Sequence, residues 1–246
     1  MITAIVLAGA SADNFNQKAK SRAMIEVAGV TMLDRVVNSL VDVADEVIAV
    51  GDVSCGFDIK VLQPGGSLME NISIALKVAQ GDNILLCTSD IPFVSKKIMR
   101  EFAQKSMDLN VGFVYPICPK EKCMEIYPTL KRTYVKIKEG EFTGGNVMFM
   151  TRAFLSSVLP VMQDLYLSRK SPLKLAKMIG FDIIWRLILC KINPKALNIE
   201  FLENKISGIF KDKVKALIVE DPSLCEDLDS PEELVKFEEI LAKGEG

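Results

Sequence analysis

The chain has 246 residues, a net charge of -2 and a hydrophobic fraction of 49%, so it can bury a large core as one α/β domain or two small ones. The near-balanced charge argues against a general nucleic-acid binder, and no uncharged apolar run reaches the length of a membrane-spanning helix. Histidine is absent, which excludes Ser-His-Asp and Cys-His machinery and histidine metal sites; any chemistry must come from carboxylates, lysine, arginine, backbone amides and a bound cation.

Met1 to Ala8 lacks a basic leader region, so no secretory signal is expected there. The six scattered cysteines, Cys118 and Cys123 the closest pair, read as reduced thiols of a cytoplasmic protein. Thr3 to Leu7 reads as a first buried strand. It opens into Ala8-Gly9-Ala10-Ser11, where small residues form either a tight turn or a loop that a nucleotide can approach closely. Lys18, Lys20 and Arg22 follow, either a phosphate clamp or a solvated loop. Leu33, Val36, Val37 and Leu40 mark the apolar stripe of a helix packed on a sheet. Glu46 to Val50 and Ile59 to Leu62 are the next strands. Gln63-Pro64-Gly65-Gly66 then leads to Ser67-Leu68-Met69-Glu70, a capping box for a helix reaching about Val78. Such a strand, glycine loop and capped helix is either a second anion-receptive site or an ordinary turn.

Ile84 to Cys87 is a further apolar strand, running into Thr88-Ser89-Asp90-Ile91-Pro92. Asp90 sits at a strand's carboxyl edge, where open α/β sheets bind ligands; it either caps a loop or holds a hard cation. Ser95 starts another helix and Val111 to Tyr115 another strand. This alternation predicts a doubly wound, mostly parallel sheet. The pattern then changes to a hairpin about Glu139-Gly140-Glu141, leading into Thr143-Gly144-Gly145-Asn146 and an apolar strand to Met150. The paired glycines either admit a ligand against the backbone or form a bulge, and Asn146 could read a base or a sugar hydroxyl.

Ser168 to Lys195 carries Arg169, Lys170, Lys174, Lys177, Arg186, Lys191 and Lys195 against the single acid Asp182. Within it, Phe181 to Cys190 is a helix apolar over most of its circumference, its only charges Asp182 and Arg186 spaced as an i, i+4 pair. Burial in the domain or in a homodimer interface is expected, with peripheral membrane contact through 168–195 as the alternative. After the strand Ala216 to Val219 comes Asp227-Leu228-Asp229-Ser230-Pro231-Glu232-Glu233-Leu234. Ser230, Pro231 and the two glutamates start a helix; Asp227 and Asp229 beside them require a cation or solvent screening.

Ala4 to Gly9 with Ala23 to Gly29 and Met32-Leu33, Thr88 to Phe93, and Asp227 to Leu234 together resemble the MobA-like nucleotidyltransferases. The resemblance implies a Rossmann-like three-layer α/β/α sandwich with a mostly parallel mixed sheet, one domain over 1–246 with a helical insertion at about 165–210. It implies Mg2+-dependent transfer of a nucleotidyl group from a nucleoside triphosphate to a phosphorylated small-molecule or lipid-linked acceptor, releasing pyrophosphate. Arg22 and Asp90 would be catalytic, with Asp90, Asp229 and Asp227 as metal ligands. Leu7, Ala8, Gly9, Ala10, Arg22, Gly65, Gly66, Ser67, Asn71 and Ser89 would contact the nucleotide, and Arg132, Gly144, Gly145 and Asn146 the acceptor. The chain departs from the family in having Ala10 for a second glycine, no arginine-glycine pair in Asp13-Asn14-Phe15-Asn16, and Arg22 where a lysine is usual. A nucleotide-sugar-dependent glycosyltransferase and a catalytically lapsed nucleotide-binding protein are the alternatives.

Overall fold

The structure is a computed structural model that describes residues 1–12, 15, 19–168 and 171–244. Asp13, Asn14, Asn16, Lys18, Arg169 and Lys170 lie outside the described residues. The chain opens with β1 (Ile2–Leu7), a small hairpin of β2 (Glu26–Val27) and β3 (Val30–Thr31), and α1 (Met32–Leu40). β4 (Glu46–Val50), β5 (Lys60–Leu62), α2 (Leu68–Val78), β6 (Asn83–Thr88) and α3 (Lys96–Asp108) continue it. Then come β7 (Phe113–Pro119), α4 (Lys120–Ile126), β8 (Val135–Ile137), β9 (Gly140–Gly144), β10 (Val147–Thr151) and α5 (Arg152–Ser168). The inserted helices α6 (Pro172–Ile179), α7 (Phe181–Leu189) and α8 (Ile199–Phe210) precede β11 (Val214–Ile218) and α9 (Pro231–Gly244).

The strands join in the order β5-β4-β1-β6-β10-β7-β9-β8, with β11 also along β7. β5, β4, β1 and β6 run parallel. β10 is antiparallel to both β6 and β7, and β11 is parallel to β7. The carboxyl ends of β1, β4 and β6 therefore meet at one edge, the start of β10 joins them there, and the chain turns opposite ways after β1 and β6. That reversal is where open α/β sheets leave a crevice.

Both faces of β1 are covered. Ala4 and Val6 pack beneath Leu33, Val36, Val37 and Leu40 of α1 and Met99 and Phe102 of α3, while Ile5 faces Met69, Ile72 and Leu76 of α2 and Phe154, Leu155 and Val158 of α5. The continuous apolar run of the strand follows from this double burial. Each such side chain contributes about 1.5–3 kcal/mol. Helix starts are chemically marked. The hydroxyls of Thr31, Ser67 and Ser95 accept from the N–H groups of Asp34, Glu70 and Ile98, and Asn198 does the same for Phe201. Arg152 closes the other end of α2 by donating to the Leu76 and Ala79 carbonyls.

The helix expected over Phe181 to Cys190 is present as α7, while the domain itself leaves much of its apolar surface uncovered. Gly180, at φ +102°, separates α6 from α7, and on α7 only Ile183 is fully buried while Phe181, Trp185, Leu187 and Ile188 are exposed. Asp182 and Arg186 do not pair with each other. Tertiary partners take both: Asp182 binds Lys205 of α8 at 2.5 Å, and Arg186 donates to the Ala196 carbonyl and lies over the Phe201 ring.

Glu203 of α8 fixes the insertion to the sheet, its buried carboxylate accepting from the Ala216 N–H of β11 and from the Lys215 ammonium. Replacing it orphans that N–H. Glu203→Ala is expected to lower stability by about 1.5–3 kcal/mol in urea unfolding, and an unchanged midpoint would contradict this role.

Candidate active site

The first loop is built by two limbs of chain zipped together. The Ser21 hydroxyl donates to the Ala8 carbonyl at 2.7 Å, the Arg22 N–H to the Ala10 carbonyl at 2.9 Å, and the Ala12 N–H to the Lys20 carbonyl. Ser21 also caps the short 3-10 turn Arg22–Met24, and the wholly buried Ile25 anchors it from below. Arg22 is aimed by this framework at the sheet edge. Its Nη1 lies 3.3 Å from Asp90 Oδ2, 3.0 Å from Asp229 Oδ1 and 3.1 Å from the Leu228 carbonyl. That nitrogen carries two hydrogens for three acceptors, so the carboxylates share it incompletely.

Asp90 is 7% exposed. The preceding Ser89, also buried, donates its N–H to the Leu7 carbonyl, and the Asp90 carbonyl accepts the Leu228 N–H at 2.9 Å. That backbone bond ties the loop after β6 to the segment carrying Asp229. Asp90 Oδ1 is buried without a hydrogen-bond partner. Burial raises the carboxyl above its ordinary value; the Thr88 side chain beside it and Arg22 oppose this, and the charge of Asp227 adds to it.

Leu7, Gly9, Ala10, Gly65, Gly66, Ser67, Asn71 and Asp90 line one cavity of about 370 Å3 together with Leu68, Thr88 and Tyr166. Ala8 faces an adjoining cavity with Lys20, Ser21 and Asp52. A Cβ on Gly9 would come within 3.2 Å of the Asn71 amide, so glycine keeps that wall open. The N-terminus of α2 is already engaged by the protein. Gly65 N–H donates to Asn71 Oδ1, and Gly66 N–H to Glu70 Oε2. Glu70 thus reaches the residue before its cap, and its carboxylate takes the place at the helix N-terminus where an anion would sit.

The remaining predicted residues hold the acidic segment. Arg132 donates to the Asp227 carboxylate and the Cys225 carbonyl, with Glu226 at 3.8 Å. Asn146 binds the Leu224 and Cys225 carbonyls through its backbone and side-chain nitrogens. Gly144 and Gly145 allow close packing: a Cβ at either would lie 2.1 Å from the Tyr115 hydroxyl or 2.7 Å from Pro116. Gly144 borders a second, apolar cavity against α8 rather than the one containing Asp90. Two arginines therefore answer the charge crowding seen in the sequence, Arg22 at Asp229 and Arg132 at Asp227. Sequence reasoning missed Tyr166, which only the course of α5 brings here. It also missed Asp52, although an acid just past a parallel strand carries the same signal as Asp90.

Glu226 is 1% exposed, and one carboxylate oxygen lacks a partner. Burial pushes its carboxyl up to about 7, while Arg132 opposes and Asp227 adds. The folded chain thus holds a proton that the unfolded chain releases near 4.5, and stability falls as pH rises from about 4.5 to 7. The difference is of the order of 3 kcal/mol. Glu226→Gln, neutral at every pH, should match the wild type near pH 5 and be the more stable protein near pH 8 in paired thermal melts. A gap that does not change with pH would contradict this.

The family model described as MobA-like NTP transferase domain matches residues 4–173. A hypothetical transferase from Thermus thermophilus is similar at 30% identity, with a TM-score of 0.85 over 94% of this chain and 98% of its own. Two solved structures share the fold at lower identity. A 2-C-methyl-D-erythritol 4-phosphate cytidylyltransferase, also from Thermus thermophilus, has 13% identity, a TM-score of 0.55 and coverage of 97% of this chain and 98% of its own. A CMP:2-keto-3-deoxy-manno-octonic acid synthetase complexed with CTP has 10% identity, a TM-score of 0.60 and coverage of 99% of both chains. Comparison with curated proteins gave no match. The three-layer sandwich, the carboxyl-edge cavity and the family match agree: the chain belongs to the MobA-like NTP transferase family and is a nucleotidyltransferase.

Proposed function

We propose that the protein moves a nucleotidyl group from a nucleoside triphosphate to a phosphorylated acceptor, free or lipid-linked, releasing pyrophosphate, and that Mg2+ held by Asp90 and Asp229 takes part. The observation that carries this reading is Asp90. Asp90 lines the glycine-rich cavity; one of its oxygens is buried without a hydrogen-bond partner, while the other shares Arg22 with Asp229. A buried acceptor without a donor is costly unless a ligand satisfies it. Carboxylate oxygens are the hard donors that Mg2+ selects, so the residues fit the ion. When bound, it neutralises the triphosphate and the departing pyrophosphate.

Arg22 is placed to bring a planar cation to the phosphates, and the small side chains of Ala8, Gly9 and Ala10 let the nucleotide lie close to the backbone. Gly65, Gly66, Ser67 and Asn71 form the opposite wall. Because the amides of Gly65 and Gly66 are engaged internally, we assign this wall to the base and sugar rather than to phosphate. Asp227, Arg132 and Asn146 position the acidic segment behind the reacting groups, with Gly144 and Gly145 allowing that segment to pack, so the acceptor approaches past residues that mainly shape its path. An oxygen of the acceptor phosphate attacks the α-phosphorus; the new P–O bond forms as the bond to the pyrophosphate oxygen breaks, and the electron pair leaves with pyrophosphate. The attacking oxygen is already anionic, so no general base is required, in keeping with a chain without histidine. Positioning and preorganised charge supply the rate. The solved relative complexed with CTP supports triphosphate use.

In a coupled pyrophosphate assay over a panel of nucleoside triphosphates and phosphorylated acceptors with Mg2+, Asp90→Asn should lose roughly two to three orders of magnitude in turnover while melting no lower than the wild type. Turnover that survives this change, or nucleoside diphosphate as the product, would overturn the proposal. Arg22→Lys keeps the charge but loses the planar guanidinium, whose other nitrogens remain for the phosphates; it should cost about tenfold, roughly 1.4 kcal/mol of transition-state stabilisation, with KM for the triphosphate rising. Unchanged kinetics in that variant would remove Arg22 from the mechanism.

A further inference from the structure

The insertion exposes an apolar stripe that the transfer reaction does not use. Phe181, Trp185 and Ile188 stand at i, i+4 and i+7 of α7, and Ile192 follows in the next turn; their exposures are 59%, 61%, 54% and 86%. Spacing of this kind puts the first three side chains on one helical face, and large apolar side chains exposed together on one face mark a contact site. On either side of it in the chain, Lys174 and Lys177 of α6 and Lys191 and Lys195 beyond α7 are all exposed. The one acid on α7, Asp182, is bound to Lys205, and Arg186 is turned toward the Ala196 carbonyl and the Phe201 ring. The exposed positions of α7 are therefore apolar, and the segments that flank the helix in the chain present lysines to solvent.

We infer that this face docks on an anionic lipid bilayer, with Phe181, Trp185, Ile188 and Ile192 entering the headgroup boundary and the lysines contacting lipid phosphates. Charge complementarity selects this occupant. A second copy of the chain, meeting the stripe face to face, would set the same four lysines against their counterparts, and like charges at an isologous contact repel. No helix among the described residues is long and apolar enough to cross a membrane, so α7 lies in the surface plane, as amphipathic helices with basic borders do. The docking element is joined to the active site. Tyr166 of α5 lines the Asp90 cavity, the exposed Leu167 follows it, and α6 packs on α5.

Trp185 is the only tryptophan of the chain, so the intact wild-type protein carries its own reporter and the readout needs no substrate, separating this inference from the transfer reading. Mixed with vesicles of phosphatidylglycerol in phosphatidylcholine, the emission should shift to shorter wavelength, acrylamide quenching should fall several-fold, and the protein should float with the vesicles; added salt should reverse all three. Pure phosphatidylcholine vesicles should do little. Trp185→Phe with Ile188→Glu should keep the wild-type melting temperature and no longer float. Unchanged emission with anionic vesicles, or equal response to neutral ones, would overturn the inference. So would a blue shift that grows with protein concentration in vesicle-free buffer, because it identifies a second copy as the occupant.

Discussion

The Arg22 guanidinium lies between Asp90 and Asp229, which reach it from residues 68 and 207 positions along the chain, and the shape of the site depends on that bridge. Without the cation, the buried Asp90 would face further negative charge from Asp227 and Asp229 in a region poor in water, and desolvation would work against its ionised form. With it, the loop after β1, the loop after β6 and the segment before α9 are brought to one point. The backbone bond from Leu228 N–H to the Asp90 carbonyl holds the last two of these together independently of the arginine. The arrangement leaves one Asp90 oxygen unanswered. That buried acceptor is the feature on which the proposed cation site rests, and in a chain without histidine the carboxylates are the hard donors available for one.

Arg132 does for the neighbouring acid what Arg22 does for this pair. It takes Asp227 and the Cys225 carbonyl together, while Asn146 grips the same carbonyl from the start of β10. Three acids in four residues, Glu226, Asp227 and Asp229, are thereby sorted by environment. Asp227 is paired with Arg132, Asp229 remains 64% exposed beside Arg22, and Glu226 is buried with its carboxyl pushed up to about 7. Their separate roles come from the partners each meets.

Much of the framework was readable from local chemistry. The apolar run of β1, the stripe of α1, the hydroxyl caps at Ser67 and Ser95 and the start of α9 at Pro231 are written in neighbouring residues, and the structure has them where the spacing predicts. The loops of Gly9 and of Gly65-Gly66 were readable with Asp90 as one edge because alternating strands and helices fix which ends of the strands coincide, whereas Gly144 falls at another cavity. Long-range pairings were not. Arg132 meets Asp227 across 95 positions, and no local pattern distinguishes that arginine from an exposed one. Asp182 and Arg186 show the reverse error: their spacing suits a helical pair, yet α8 offers each a better-placed partner. The apolar character of α7 was plain in the sequence, but which face the domain leaves uncovered is decided by how α7 and α8 pack: of burial in the domain or in a homodimer interface, the domain itself covers Ile183 and leaves Phe181, Trp185 and Ile188 exposed.

The central claim is that Asp90 and Asp229 form a two-carboxylate clamp for a divalent ion in the presence of a triphosphate. Electron paramagnetic resonance titration of Mn2+, standing in for Mg2+, against the protein with a non-hydrolysable nucleoside triphosphate tests it without turnover. One ion should bind per chain, with affinity falling by about tenfold or more in Asp90→Asn and in Asp229→Asn, since even outer-shell changes at metal sites cost about 10–100-fold. Equal Mn2+ affinity in the wild type and both variants would contradict the account and leave the acidic edge as Arg22's anchor alone.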